Sequence, residues 1–158
     1  MRITTGRDYQ TPERRQLLKT MAERWVNHQK HIQNGNPFSE RYLDYLINLE
    51  QERPGFGYAE GIEDDSGYLH CVLLAEATEN MWVNEIDANI IAILSNQKSE
   101  QKYLKILLQR FFEWADRRNC TEVYCFSWSS RPAYNRIFKQ LGFEPAGYTF
   151  KRKKKWKM

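Results

Sequence analysis

The chain has 158 residues, a size that suits one domain with one core, and its 41% hydrophobic and 28% charged residues are those of a globular protein rather than a disordered one. No run reaches the roughly 18 apolar residues of a membrane-spanning helix, and the N-terminal MRITTGRDYQTPERRQ has no apolar signal-peptide core; no integral membrane segment and a cytoplasmic address are expected. The net charge of +4 belongs to one end: residues 151–157, KRKKKWK, hold six of the 24 basic residues, and the other 18 face 20 acidic ones, a formal charge of −2.

Residues 11–31 predict a first helix. Thr11 can cap it, Pro12 suits the first helical position, and Glu13 favours the positive helix end. Leu18, Met21, Ala22 and Trp25 fall on one face. Asn34-Gly35-Asn36-Pro37 ends that unit. A second helix follows Ser39, with Phe38 and Leu43 placed for a hydrophobic staple. Leu43, Leu46, Ile47 and Glu50 trace its turns, and Arg53-Pro54-Gly55 stops it. Residues 56–62 and 68–77 read as two strands joined by the polar turn Glu63-Asp64-Asp65-Ser66-Gly67. That acidic run lacks the spacing of a calcium loop. Within 81–95, the run from Asn89 to Leu94 fits a buried strand. The polar stretch SNQKSEQK then feeds a helix from Lys102 to Arg118, whose buried face is Leu104, Leu107, Leu108, Phe111, Phe112 and Ala115. Thr121 to Trp128 reads as a strand, broken by Ser129-Ser130-Arg131-Pro132. A helix from Ala133 to Gln140 ends at Leu141-Gly142, and Phe143 to Lys153 reads as a last strand.

Helices and strands mix throughout, so the expected fold class is α/β, a layered α+β arrangement in one domain over 1–150, followed by a basic tail, 151–158. The strand-helix-strand unit at 89–128 should be a right-handed parallel crossover.

Few residues carry a recognisable chemistry of their own. Cys71, Cys120 and Cys125 have no companion His/Cys cluster, so no metal is expected, and the two in strand-like runs read as buried thiols. His28 and His31 lie three apart but lack a third ligand. His70, in an apolar strand, reads as a hydrogen-bonded structural histidine, with titration near neutrality as the alternative. There is no Walker loop, nucleophile elbow or zinc-hydrolase helix, and no helix carries the basic stripe of a nucleic-acid-binding module.

Two stretches do carry a resemblance. LLQRFFEWADRRNCTEVYCFSW is similar to the central helix and fifth strand of the GNAT (N-acetyltransferase) superfamily, and NRIFKQLGFEP to its late helix and Leu-Gly-Phe junction. The likeness is strongest over 89–150. It implies a mixed central sheet with a splayed parallel strand pair and helices on both faces. It also implies acetyl-CoA as cofactor and acyl transfer to an amine-bearing small molecule or protein. In this family pantetheine lies between the fourth and fifth strands, and the pyrophosphate sits on amides of a Gly-rich helix start, where a side chain would block close approach. The matching segment is Asn96 to Leu104. The family's glycines align near Lys102 and Leu104, and its basic or Gln position near Ser99, with Gln97 or Lys98 as substitutes. No glycine is present here, and Glu100 adds negative charge that Lys98 and Lys102 offset only as flexible point charges.

The resemblance therefore implies a cofactor site at Ile93, Leu94, Ser95, Gln97, Lys98 and Lys102; the alternative is an ordinary solvated helix start. The family's tyrosine acid falls at Phe138, which has no proton to donate. Tyr134, one turn earlier, is the replacement candidate. Glu85 is the candidate base, with Asp87 beside it. Ser130-Arg131-Pro132-Ala133 resembles acetyltransferase-like proteins of bacteriophages, which implies a host-cytoplasm or virion setting. Two functions stay open. One is a coenzyme A-dependent N-acetyltransferase. The other is a pseudoenzyme, a GNAT-fold binding or structural protein such as a phage assembly component, whose 151–157 tail contacts protein or nucleic acid.

Overall fold

A computed structural model of the chain describes residues 1–28, 39–125 and 132–144, and only the backbone course of residues 28 and 132–135. The chain opens with strand β1 (Arg2–Thr5) and a 3-10 turn (Gly6–Gln10), followed by helices α1 (Pro12–His28) and α2 (Glu40–Glu52). Strands β2 (Gly57–Glu63), β3 (Leu69–Asn80) and β4 (Glu85–Ser95) come next, then α3 (Gln101–Arg117), β5 (Glu122–Cys125) and α4 (Pro132–Gln140). The five strands form one sheet in the order β1-β2-β3-β4-β5. The first three pairings are antiparallel and β4–β5 is parallel, so β4-α3-β5 is the parallel crossover that the alternation predicts. Among the described residues no helix is long and apolar enough to cross a membrane.

Two features differ from the sequence expectation. Strand β1 was not predicted: Arg2-Ile3-Thr4-Thr5 holds one apolar residue and is too short for alternation to register, yet it pairs fully with β2 and buries Thr4. Strand β4 starts at Glu85 rather than Asn89. It pairs with β3 as far back as Asn80, through a tight turn with Asn84 at φ 52° and with Met81 and Trp82 fully in solvent. The Phe38 half of the staple, residues 29–31 of the first helix, 126–128 of the fifth strand and the basic tail lie outside the described residues. Of the last expected strand only Phe143 and Glu144 are described, and they are not in a strand.

The period-2 pleat sends alternate side chains to two cores. On one face Leu73, Ala75, Ala88 and Ile90 meet Leu107, Leu108 and Phe111 of α3 and Ile137 and Phe138 of α4. On the other, Val72, Leu74, Ala92 and Leu94 meet Leu18, Met21 and Ala22 of α1 and Leu43, Leu46 and Ile47 of α2. Trp114 is buried where Phe112 was expected, because 104, 107, 108, 111, 114 and 115 follow one helical stripe and Phe112 lies at its flank. The Ser39 hydroxyl caps α2 by accepting from the Tyr42 amide.

Ion pairs tie the layers together. The buried Glu63 carboxylate receives Arg2 and Arg14, joining β1 and α1 to β2. Arg110 of α3 donates twice to Glu60 of β2, at 3.0 and 2.9 Å, a bidentate fork. Between these joints sits Gly61. A Cβ there would stand 2.6 Å from Thr4 Oγ1 and 3.1 Å from the Cys71 carbonyl, and would collide with the Tyr9 hydroxyl. That hydroxyl is hydrogen-bonded to Thr4 and fully buried, and burial raises its pKa. Gly61→Ala should therefore destabilise the fold by about 1–3 kcal/mol, the usual cost of overpacking, as a lowered urea midpoint at unchanged slope.

Candidate functional site

The site begins with an irregularity in β4. Leu74 pairs with Ala92 and Ala75 with Ile90, so Ile91 is an extra, unpaired residue, a β-bulge. It resets the pleat. Before it, Ala88 and Ile90 point to the α3/α4 core; after it, Ile91 and Ala92 both turn to the α1/α2 core and Ile93 to the other. Among the described residues β4 pairs with β5 from Asp87 to Ile90, opposite Glu122 to Cys125, the last described residue of β5. From Ile91 to Ser95, β4 keeps β3 on one edge and has no described strand on the other.

Of the residues that the resemblance assigns to a cofactor, Ile93 and Leu94 are buried in opposite cores, so only their backbones face that edge. Ser95 is half-buried and its carbonyl accepts from Arg24 at 3.5 Å. The loop that follows satisfies its own amides. Asn96 N–H donates to the His70 carbonyl at 2.9 Å, Gln97 N–H to Asn96 Oδ1 at 2.9 Å, Lys98 N–H to the Tyr68 hydroxyl at 3.0 Å, and Ser99 N–H to the Asn96 carbonyl at 3.2 Å. Glu100 is the N-cap of α3 without a capping side-chain bond. The amides of Gln101 and Lys102 are among those that a helix start leaves without intrahelical partners. Gln97, Lys98 and Lys102 have exposed side chains. Lys102 Nζ lies 3.3 Å from the Glu100 carboxylate, which raises its pKa. Leu104, at the second glycine position, is a core residue beside Ile93.

His70 underpins this loop. It is the extra residue of a second register shift, between Ile62 opposite Cys71 and Glu63 opposite Leu69. Its ring is buried 4.2 Å from the Tyr103 ring and 4.9 Å from that of Tyr68, with Nε2 2.8 Å from Asp64 Oδ2. This is the hydrogen-bonded structural histidine expected from the sequence. Nδ1 is buried and has no hydrogen-bond partner among the described residues. Asp64 also accepts from the Ser66 amide and hydroxyl and from the Tyr68 amide; the Ser66 hydroxyl first, then His70, hold its carboxyl well below the usual range.

On the α1/α2 face, beyond the apolar Leu74–Ala92 pair, the same strands turn polar. Register aligns Glu76, Asn89 and Tyr124 in one row and Thr78, Asp87 and Glu122 in the next. Asn89 Nδ2 donates to Thr78 at 2.9 Å, and the Tyr124 hydroxyl to Glu122 at 2.6 Å. The Glu122 bond chiefly, then burial and the Asp87 and Glu85 charges, raise the Tyr124 pKa. From α2, Tyr42 and Tyr45 stack with centroids 5.9 Å apart, and the Tyr45 hydroxyl reaches the Glu76 carboxylate at 3.4 Å.

Glu85 is exposed at the start of β4, about 20 Å of extended strand before Ile91; Asp87 stands about 13 Å before it. Glu76 is the carboxylate that sequence reasoning missed. It pairs with Asn89, two residues before the bulge at Ile91. Its signal was the alternation Val72, Leu74, Glu76 within an apolar run. Phe138 is buried with its ring 5.1 Å from Phe143. Tyr134 lies on α4, and its side chain is outside the described residues. Burial pushes the Cys71 and Cys125 thiols up to about 12 and also raises that of Cys120, so none is an activated nucleophile.

No family model matches the chain, and no curated protein matches it. Solved structures do. A Bacillus halodurans protein, crystallised as a point mutant, superposes with a TM-score of 0.69 at 8% identity, over 97% of this chain and 99% of its own. The ribosomal-protein-alanine N-acetyltransferase of Brucella melitensis gives 0.61 at 10% identity, over 96% and 97%. A GNAT family acetyltransferase of Staphylococcus aureus gives 0.58 at 14% identity, over 96% of each chain. The chain is thus folded as the GNAT acetyltransferases are.

The Asp64 carboxylate carries a pH signature. A depressed folded pKa contributes stability above the unfolded value of about 3.9, and that contribution fades as pH falls below it. Asp64→Asn should be less stable than the parent at pH 7, and the gap should narrow progressively as pH falls below about 4, read by urea denaturation at each pH.

Proposed function

We propose that the chain is a coenzyme A-dependent N-acyltransferase. The observation that carries this reading is the fold shared with GNAT acetyltransferases, in which β4 carries a bulge at Ile91 beside the Ile93 and Leu94 backbone that would meet the peptide-like groups of pantetheine. The start of α3 fits the phosphates in part. The amides of Gln101 and Lys102, with the side chains of Gln97, Lys98 and Lys102, offer positive potential, whereas the amides of Gln97, Lys98 and Ser99 are already engaged. When bound, the coenzyme would supply the acyl thioester.

The chain's own residues would manage the protons. An acceptor amine approaches over the open face around Asn89. Glu85 and Asp87 are the carboxylates assigned to take its proton, through water, with Asp87 the nearer to Ile91 by about 7 Å of strand. Tyr134 is assigned to protonate the departing thiolate, a role that the buried Phe138 ring cannot fill. A second reading, a GNAT-fold binding protein without catalysis that meets protein or nucleic acid through 151–157, draws on the engaged loop amides and on Leu104 in the core.

Calorimetric titration with acetyl-CoA tests the choice. Saturable binding near micromolar strength is expected. Glu100→Gln should tighten it several-fold at low salt and less at high salt, since the charge beside the phosphates is exposed. No binding at about 1 mM ligand would leave the non-catalytic reading standing.

A further inference from the structure

Resting on the acyl-transfer reading, we propose that the acceptor is an alkyl diamine or polyamine, and that Tyr42, Tyr45 and Glu76 hold the ammonium that is not acylated. The tyrosine rings are half-exposed and stacked at an interplanar angle of 15°, and the Glu76 carboxylate lies against the rim of the pair. An aromatic face with a carboxylate beside it rewards a cation, through the ring quadrupole and through charge. Burial, and then Glu76, raise the Tyr42 and Tyr45 pKa values, so both phenols stay neutral and their rings intact as cation platforms at physiological pH.

The contrast with other carboxylates is informative. Glu60 and Glu63, likewise at least partly buried, are each matched by arginine. Glu76 has no Lys or Arg within ion-pair distance among the described residues, and neither do Asp87 and Glu122 on the same face. Arg53, the nearest basic group that acts on Tyr45, has its guanidinium 4.3 Å over the Phe56 ring. No group of three or more His, Cys, Asp or Glu among the described residues is arranged to hold a metal ion, so an organic cation suits the element better.

The chemistry of transfer then limits which amine sits there. A nitrogen must lose its proton before it attacks a thioester, whereas cation–π and carboxylate contacts favour the protonated form. The element therefore binds a second nitrogen that keeps its charge. Glu76 pairs with Asn89, two residues before the bulge at Ile91. One to two strand spacings, about 5–10 Å, separate the two nitrogens, the reach of a spacer of three to five carbons. In the transfer the reacting nitrogen forms a bond to the acyl carbon, the carbon–sulfur bond breaks, and the proton lost by nitrogen balances the one gained by the thiolate.

The test is calorimetry on the full chain at about 50 mM salt, with butane-1,4-diamine, spermidine and butylamine as ligands. The diamine and spermidine should bind at least about tenfold more tightly than butylamine. Glu76→Gln and Tyr45→Ala should each erase most of that preference, and Tyr45→Phe, which keeps the ring, should retain most of it. Equal affinity for mono- and diamine, or a preference untouched by Glu76→Gln and Tyr45→Ala, would overturn the proposal. Tyr42→Ala, at an exposed position, provides a second reading should Glu76→Gln lower the thermal midpoint. The acetyl-CoA titration keeps the two ideas apart: diamine preference without coenzyme binding would sink acyl transfer and leave a diamine-binding face, while coenzyme binding without diamine preference would do the reverse.

Discussion

Strand β4 runs beside β3 from Glu85 to Ser95 and inserts one extra residue, Ile91, into that pairing. Much of the rest follows from this. A one-residue shift reverses the facing of every side chain beyond it. Were Ile91 paired in regular alternation instead of bulged, Ala92 and Leu94 would point to the α3/α4 core and Ile93 to the α1/α2 core. The bulge thus keeps both cores filled.

The start of α3 shows how packing competes with ligand binding. A glycine-rich turn leaves amides bare for an anion. In this chain Tyr68 and Asn96 occupy those of the preceding loop, Tyr103 stacks on His70, and Leu104 descends into the core. Each contact anchors the helix, and together they narrow the cradle to the first helical turn. Anchoring is also imperfect, since the buried His70 Nδ1 has no partner among the described residues, a cost that only a surrounding network can sustain. Binding of a phosphate group at this end would rest more on Lys98 and Lys102 than on shaped backbone, which makes it more sensitive to salt.

Much of the fold was legible because it rests on strong periodic signals. The α3 stripe, the capped start of α2 and the two apolar strand runs each follow from side-chain spacing and capping chemistry. What escaped depends on pairing across the chain. Strand β1 exists because Thr4 and Ile3 find β2, not because four residues prefer extension. Met81-Trp82-Val83 is apolar by composition yet lies at an exposed turn, so hydrophobicity there says nothing of burial. The bulge at Ile91 is invisible in a run of Ile, Ala and Leu, any of which packs on either face. Of the site, the family resemblance assigns Ile93 and Leu94 to the cofactor, and both lie on β4 just past the bulge. The row of Glu76, Asn89 and Tyr124 was not legible, because three strands must be in register before those residues become neighbours.

Charge gives the polar face its meaning. Apart from 151–157 the chain carries a formal charge of −2, and the face beyond the Leu74–Ala92 pair gathers Glu76, Asp87 and Glu122 without a described basic residue among them. Fields of this size act over a Debye length of about 10 Å at 0.1 M salt, enough to favour a cation near the face and to disfavour an anion. Six basic residues at 151–157 present the opposite sign on the same molecule. A small cationic ligand and basic side chains are drawn to the same kind of carboxylate, and added salt weakens both attractions.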